Sequence, residues 1–197
     1  MKKVLVIVDM QNDFITGSLG SLLTQSIVPD VVNKLKESLK NNDWVIFTRD
    51  THNKNYLNTP EGEKLPVEHC ISGTSGHEII PELWNEWCSF GPYTGLVHVI
   101  DKPIFGSTEL MEMLGDIENV VNGEWEVEFC GVCTDICVVS NALMAKSYFP
   151  NTKISVNPKL CAGTSINNHL SAIDVMRSCQ IDIIEPEERI LEKELVR

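Results

Sequence analysis

Six short runs of apolar residues, rich in valine and isoleucine, alternate with longer segments along the chain. They occupy residues 3–8, 44–48, 96–100, 126–131, 153–157 and 181–184. Near-continuous runs of this length are typical of strands that are buried on both faces, as in a parallel sheet. The pattern therefore predicts a six-stranded parallel sheet.

The segments between the runs carry helical spacing. Val31, Leu35 and Leu39 recur every four residues after Pro29, a residue favoured in the first turn of a helix. Helical patterns also cover residues 107–115, 134–148 and 167–178. Strands that alternate with helices predict a three-layer α/β/α fold of the doubly wound, Rossmann-like type, formed as one domain by residues 1–197.

Residues 51–81 are the longest stretch without a periodic pattern, and they are rich in Asn, Gly, Pro and Thr. Irregular segments of this length in a compact domain are usually functional loops or lids. We therefore expect this segment to contribute to a binding site.

The charge balance narrows the classes of partner. Sixteen Lys and Arg face 28 Asp and Glu, a net charge of −12, which argues against nonspecific binding to nucleic acid or to anionic membranes. The first apolar run stops at Asp9, which makes it shorter than the ~7–15-residue core of a signal peptide and far shorter than the ~20 residues of a membrane helix. We expect a cytoplasmic protein with reduced cysteines and with neither nucleic acid nor membrane as a partner.

Chemically active side chains follow four of the predicted strands. Asp9, Asp50, Lys102 and the segment that ends at Cys137 each come after an apolar run. Ligands of open parallel sheets bind beyond the carboxyl ends of the strands, so these groups are expected to converge. Any one of them alone is most simply a solvated turn residue. Together, an acid, an amine and a thiol are the parts of a nucleophilic site.

Cys137 lies about one turn into a predicted helix. The free N–H groups and the positive dipole end of a helix favour a thiolate, lowering its pKa, and the same N–H groups can hold an oxyanion. The alternative is a buried core cysteine with no reactivity.

The spacing of Cys130 and Cys133 is that of a C-x-x-C redox pair, and Cys133 and Cys137 are spaced like a pair of metal ligands. However, a redox pair opens a helix, whereas Cys130 lies inside a predicted strand. A closed zinc site needs four N or S ligands, and no histidine is near in sequence. The redox interpretation therefore remains the weaker alternative.

Asp50, His52 and His69, with Glu61 between them, form a set of nitrogen and oxygen donors. Such a mixed set suits Zn²⁺, Mn²⁺ or Fe²⁺ and leaves a coordination position open for a substrate atom. The alternative is two loop histidines that make ordinary hydrogen bonds.

Five motifs, in this order along nearly the whole chain, resemble the isochorismatase-like cysteine hydrolases and most closely their nicotinamidase/pyrazinamidase branch. They are residues 8–14 with Gly17-Ser18-Leu19, Thr48-Arg49-Asp50 with His52, His69-Cys70 with Gly73-Thr74 and Gly76, Lys102, and residues 131–137. The resemblance implies the isochorismatase-like hydrolase fold.

The resemblance also implies a catalytic triad. Asp9 matches the proton acceptor, Lys102 the cationic member and Cys137 the nucleophile. The backbone N–H groups of Cys133 and Cys137 match an oxyanion hole, and a cis peptide bond is expected before Cys133.

By the same resemblance, Asp50, His52 and His69 match the ligands of one divalent transition metal, zinc or alternatively manganese or iron. Glu61 stands where some relatives place a further ligand, and Phe14 matches an aromatic wall of the substrate pocket. The expected activity is metal-dependent hydrolysis of a small-molecule amide, nicotinamide, through a cysteine thioester. The alternatives are hydrolysis of another small amide, such as a carbamoyl or ureido compound, and a non-catalytic binding or assembly protein.

The sequence departs from the family pattern in two places. Residues 65–68, which lead to His69, lack the aromatic residue that many nicotinamidases use against the ring, and residues 53–58 lack the extra histidine of some members. The resemblance favours a homo-oligomer. Residues 185–197 add a short amphipathic pattern that can dock on the same chain or on a neighbour.

Overall fold

Six parallel strands form one sheet in the computed structural model, which describes residues 2–90, 96–121 and 123–184. The strands are β1 (Lys2–Val8), β2 (Trp44–Asp50), β3 (Val97–Lys102), β4 (Trp125–Val132), β5 (Lys153–Ala162) and β6 (Asp182–Ile183). Their order across the sheet is β3-β2-β1-β4-β5-β6. This is the strand order of a doubly wound fold.

Helices connect the strands. They are α1 (Asn12–Ile15), α2 (Leu22–Ser26), α3 (Val28–Asn41), α4 (Pro60–Lys64), α5 (Pro81–Phe90), α6 (Thr108–Val120), α7 (Val139–Tyr148) and α8 (Ile166–Ser178). Right-handed crossovers with this strand order place α3 and α5 on one face of the sheet and α6, α7 and α8 on the other. The contacts of α3 with α5, and of α7 with both α6 and α8, agree with that placement. The predicted three-layer fold is confirmed.

Five of the six strands lie within two residues of their predicted ends. The exception is β5, which continues to Ala162, whereas the apolar run stops at residue 157. Between the pairs Phe129–Val156 and Gly131–Cys161 the register of β4 and β5 shifts, so β5 accommodates extra residues that include Pro158. A proline cannot donate to the ladder, and this is why the strand looks finished in the sequence.

The predicted helices are all present, but α5 is absent from the prediction. Leu83 is its fully buried residue, and Trp87 and Phe90 follow it four and seven residues on, so the helical spacing is present in the sequence and the prediction missed it. The segment 51–81 holds α4 and two short 3-10 turns (Tyr56–Asn58 and Ser75–His77) within an otherwise irregular loop. The amphipathic pattern over residues 185–197 lies outside the described residues.

The crossovers reverse direction between the two central strands, β1 and β4, and this crevice is where doubly wound folds bind ligands. The two strands approach closely at Gly131, which has φ +110°. A Cβ atom there would collide with the carbonyl oxygen of Val8. Glycine at this position therefore allows β1 and β4 to lie this close together at their carboxyl ends. Among the described helices, none is long and apolar enough to cross a membrane.

We predict that Gly131→Ala lowers the free energy of unfolding by at least ~2 kcal/mol, because it adds backbone strain and a steric collision. The matched control is Gly115→Ala in α6, where a Cβ would meet no described atom. That change should stabilise the protein by roughly 0.5–1 kcal/mol through helix propensity. Urea unfolding followed by circular dichroism measures both, and equal effects of the two variants would contradict the assignment.

Candidate active site

The carboxyl ends of four strands bring the predicted groups together. Asp9 follows β1 directly, Asp50 and Lys102 are the last residues of β2 and β3, and Cys137 lies in the turn after β4. The register pairs Asp50 with Lys102 across β2 and β3. All four residues are buried, and the side chain of Lys102 has no exposed surface.

The amine contacts both the acid and the thiol. The Nζ atom of Lys102 lies 2.6 Å from Oδ2 of Asp9 and donates to Sγ of Cys137 at 3.4 Å. The other oxygen of Asp9, Oδ1, accepts from the hydroxyl of Thr48 at 2.7 Å. Asp9 itself has φ +50°, which turns the chain sharply at the end of β1. The sequence does not indicate the role of Thr48, since it lies inside an apolar run.

Burial governs the proton equilibria of this group. Burial raises the pKa of Asp9, and the nearby Lys102 only partly opposes it. Burial alone would lower the pKa of Lys102, but the charges of Asp9, Cys137 and Asp50 hold it above its ordinary value. The amine therefore stays charged, and Asp9 is a stronger base than an exposed aspartate.

The expectation that a helix dipole lowers the pKa of Cys137 is wrong for the resting site. Burial and the adjacent Asp9 raise the pKa of this thiol well above its ordinary value, and Lys102 does not offset them. Cys137 is therefore protonated at rest. Its reactivity depends on a base within reach, and Asp9 interacts directly with the thiol.

Four potential metal ligands cluster beside Asp9, Lys102 and Cys137. One ligand atom from each of Asp50, His52, Glu61 and His69 lies within 4.8 Å of all the others. The Nε2 atoms of His52 and His69 lie 2.9 and 3.3 Å from Oδ2 of Asp50, and Nε2 of His52 lies 3.8 Å from Oε1 of Glu61. The structure thus brings the four predicted ligands to one point.

The surroundings orient these donors. Nδ1 of His69 lies 2.8 Å from the carbonyl oxygen of Val67, so this nitrogen donates its proton there and Nε2 turns its lone pair toward the cluster. The ring of Tyr56 packs against the rings of His52 and His69, with centroid distances of 4.6 and 4.9 Å. Its hydroxyl donates to the carbonyl oxygen of Leu65 at 3.0 Å. No pattern in the sequence singles out Tyr56.

The chemistry of the donor set fits a divalent transition metal. Two imidazole nitrogens and two carboxylates are ligands that zinc, manganese and iron accept. Two carboxylates this close repel each other when no cation lies between them, and burial also raises the pKa of Glu61. A bound cation removes that repulsion, so the residues present fit the predicted metal.

Asp50 contacts both the group formed by Asp9, Lys102 and Cys137 and the cluster of metal ligands. Its Oδ2 faces the two histidines, while its Oδ1 lies 3.4 Å from Nζ of Lys102. Gln11 fixes the Asp50 backbone, since its Oε1 accepts from N of Asp50 at 2.7 Å and its Nε2 donates to the Asp50 carbonyl at 2.8 Å. Gln11 is fully buried, and no pattern in the sequence indicates this role.

A hydrogen bond to Asp13 holds the long loop so that His69 lies at the end of the sheet. Its Oδ2 accepts from the backbone N of Cys70 at 2.8 Å, which attaches the loop to α1. Gly76 approaches the same carboxylate so closely that a Cβ atom would collide with it. These two contacts therefore fix the loop next to His69.

A cavity of about 320 Å³ joins the two groups. Its wall includes Asp50, Glu61, His69, Cys133 and Cys137, together with the apolar or small side chains of Phe14, Leu19, Leu65, Phe105, Ile136, Gly163 and Thr164. Phe14 stands in the wall as expected, with its ring 5.6 Å from that of His69. Phe105, from the segment after β3, is a second aromatic residue there, and its signal in the sequence was weak because it lies in a loop. The volume suits a small molecule.

The turn that carries Cys137 is a π-helical segment, Thr134–Val138, and Cys133 precedes it. The peptide bond between Val132 and Cys133 is cis, as the resemblance implies. The carboxylate of Asp135 accepts from both the backbone N and the hydroxyl of Thr164. These bonds attach the turn of Cys137 to the segment before α8.

The sheet order and the cavity at the strand ends define the class of doubly wound α/β proteins with a ligand site at the carboxyl ends of the strands. Within that class, the isochorismatase domain matches residues 3–188, and the chain belongs to the isochorismatase family.

Similar proteins indicate which branch of the isochorismatase family the chain belongs to. The nicotinamidase of Schizosaccharomyces pombe is 29% identical and aligns over 95% of each chain. The nicotinamidase/pyrazinamidase of Mycobacterium tuberculosis is 26% identical over 92% of this chain and 98% of its own. The crystal structure of the Bacillus subtilis nicotinamidase/pyrazinamidase has a TM-score of 0.81 at 26% identity, covering 94% of this chain and all of that one. The chain thus lies in the nicotinamidase/pyrazinamidase branch.

For the metal cluster, we predict that His52→Ala reduces bound metal at least ~10-fold, because the change removes a ligand. Alkylation of Cys137 by iodoacetamide should persist in this variant, since the thiol lies in the neighbouring group. His98→Ala is the matched control, because His98 lies in β3 and stacks on Trp44 instead. Elemental analysis of protein purified without chelator measures the metal. Wild-type protein with less than about a tenth of an equivalent of any transition metal would contradict the assignment.

Proposed function

We propose that the protein is a nicotinamidase-like cysteine amidohydrolase that converts nicotinamide and water to nicotinate and ammonia. One observation carries the proposal: a single small cavity is lined both by Cys137, which contacts Lys102, and by ligands of the metal cluster. The names of the relatives supply the substrate, since three of them are nicotinamidases or pyrazinamidases.

In the first half of the proposed reaction, Cys137 transfers its proton to Asp9 and its sulfur attacks the amide carbon. Lys102 stabilises the thiolate as it forms, because its Nζ lies 3.4 Å from the sulfur. The oxyanion of the tetrahedral intermediate accepts hydrogen bonds from the backbone N–H groups of Cys133 and Cys137.

In the second half, the C–N bond breaks and ammonia leaves with the proton that Asp9 held. A thioester on Cys137 remains, and Asp9 takes a proton from the water that hydrolyses it. Nicotinate then leaves, and the thiol regains its proton. The thiol thus divides one difficult step into two easier ones.

The proposed metal ligands are Asp50, His52, His69 and Glu61, holding one zinc ion or alternatively manganese or iron. When bound, the metal supplies a coordination position for the pyridine nitrogen. Phe14 packs beside the ring from the cavity wall. The carbonyl carbon is then held toward Cys137, and this positioning is the main contribution of the pocket.

We also propose that the chain acts as a single domain in a cytoplasmic homo-oligomer. All seven cysteines lie within the described residues and are free, which suits a reducing compartment. The oligomer rests on the family resemblance alone. Light scattering at micromolar concentration tests it, and a monomer there would refute it.

An ammonia-release assay over nicotinamide, pyrazinamide and a ureido compound tests the proposed substrate. Nicotinamide should be turned over with kcat/KM at least ~10-fold above the ureido compound, because the apolar walls and a metal-bound ring nitrogen favour an aromatic amide. Protein with Cys137→Ala is the blank. Turnover of the ureido compound alone would refute the assigned substrate.

Variants test the proposed nucleophile and base. Cys137→Ala should lose about 10⁴-fold or more in kcat, because no other thiol replaces it. Asp9→Asn should lose about 10²–10⁴-fold, because an amide cannot accept the thiol proton. Cys130→Ala is the matched control, since Cys130 is fully buried inside β4, and it should retain activity. Residual activity of Cys137→Ala above about a hundredth of wild type would contradict the assignment.

A further inference from the structure

A second thiol stands in the wall of the cavity. Cys133 lines it together with Cys137, yet amide hydrolysis as proposed above requires only the backbone N–H of Cys133. Its side chain is therefore free for another role. Cys133 is half-buried, whereas Cys137 has only 5% of its surface exposed.

The backbone keeps the two cysteines on one turn. The carbonyl oxygen of Cys133 accepts from N of Ile136 at 3.0 Å and from N of Val138 at 3.1 Å, the residues on either side of Cys137. These bonds close a single turn that contains both cysteines. A disulfide between them needs a Cα separation of ~4.4–6.8 Å, and the experiment below tests whether the turn permits it.

Both thiols also face the same charges. Asp9, Lys102 and Asp50 act electrostatically on Cys133 and on Cys137. Cys133 and Cys137 line the same cavity, and Cys137 contacts the buried ammonium group of Lys102. A small polar oxidant that enters the cavity reaches both of them.

We propose that Cys133 is the resolving thiol of a reversible oxidation site, in which a hydroperoxide oxidises Cys137 and Cys133 then closes a disulfide with it. The inference depends on the proposed function only in taking Cys137 as the reactive thiol. The disulfide blocks the nucleophile while it lasts and prevents its further oxidation.

The two steps balance as follows. In the first, the thiolate of Cys137 attacks one oxygen of the hydroperoxide, the O–O bond breaks, and the departing oxygen takes the proton released from the thiol. This leaves a sulfenic acid and an alcohol, or water if the oxidant is hydrogen peroxide. In the second, the sulfur of Cys133 attacks that of Cys137, an S–S bond replaces the S–O bond, and the hydroxide takes the proton of Cys133 to leave as water.

The other cysteines have different surroundings. Cys130 and Cys161 are buried inside β4 and β5, and Cys70 is buried in the loop before Ile71. Cys88 and Cys179 are exposed and are able to form disulfides between molecules. A Cys88→Ser/Cys179→Ser double variant is therefore the right background for the test.

The experiment treats metal-loaded protein of this background with hydrogen peroxide and identifies the products by mass spectrometry of the intact chain and its peptides. We expect the loss of two hydrogens, mapped to a bond between Cys133 and Cys137. Dithiothreitol should restore most of the starting activity. Adding Cys133→Ala should instead give two or three oxygens on Cys137, with less than about a tenth of that variant's own starting activity restored.

Cys130→Ala in the same background is the matched control and should behave like the background. Cys133→Ser serves as a second variant, with circular dichroism confirming that each variant is folded. Equal recovery with and without the Cys133 thiol, or a disulfide between other cysteines, would overturn the inference. The mass measurement needs no substrate, so the two proposals fail separately. A disulfide in a protein that is inactive on nicotinamide refutes only the proposed function. Turnover of nicotinamide without the disulfide refutes only this inference.

Discussion

The buried ammonium group of Lys102 is the interaction on which the site depends. Removing such a charge from water costs several kcal/mol, so it is stable there only beside opposite charge. Asp9 lies 2.6 Å away and Asp50 3.4 Å away, each at the end of its own strand. The register that pairs Asp50 with Lys102 is therefore a requirement of the fold as well as of the chemistry. A slip by one residue would leave a buried charge without a partner.

Asp50 extends this constraint to the metal cluster. One of its oxygens faces the ammonium group, and the other faces the imidazoles of His52 and His69. The same carboxylate thus fixes the distance between the proposed nucleophile and the proposed metal. Gln11 holds the Asp50 backbone through both its N–H and its carbonyl group. Because this one carboxylate contacts both Lys102 and the histidines, the two groups lie beside one small cavity.

The sequence predicts the groups that directly follow apolar runs, because strand ends are visible as changes in hydrophobicity. Asp9 and Lys102 are examples. His69, in a loop, and Glu61, in α4, were found from the set of possible metal donors and the family motifs instead. Tyr56 and Phe105 were not predicted as site residues, since their positions depend on how loops fold back onto the sheet. The raised pKa of Cys137 was also unpredictable, because it arises from burial and from Asp9, which is distant in sequence. Local propensity carries no information about either effect.

The central claim is that Cys137 forms a covalent bond to the substrate inside this buried charge group. Its most direct test is a single turnover of metal-loaded enzyme in excess over nicotinamide, quenched in acid and analysed by mass spectrometry. We expect a nicotinoyl adduct on Cys137 that rises and then decays as nicotinate forms. Complete conversion to nicotinate with no adduct at any time, or with the adduct on another residue, would contradict it.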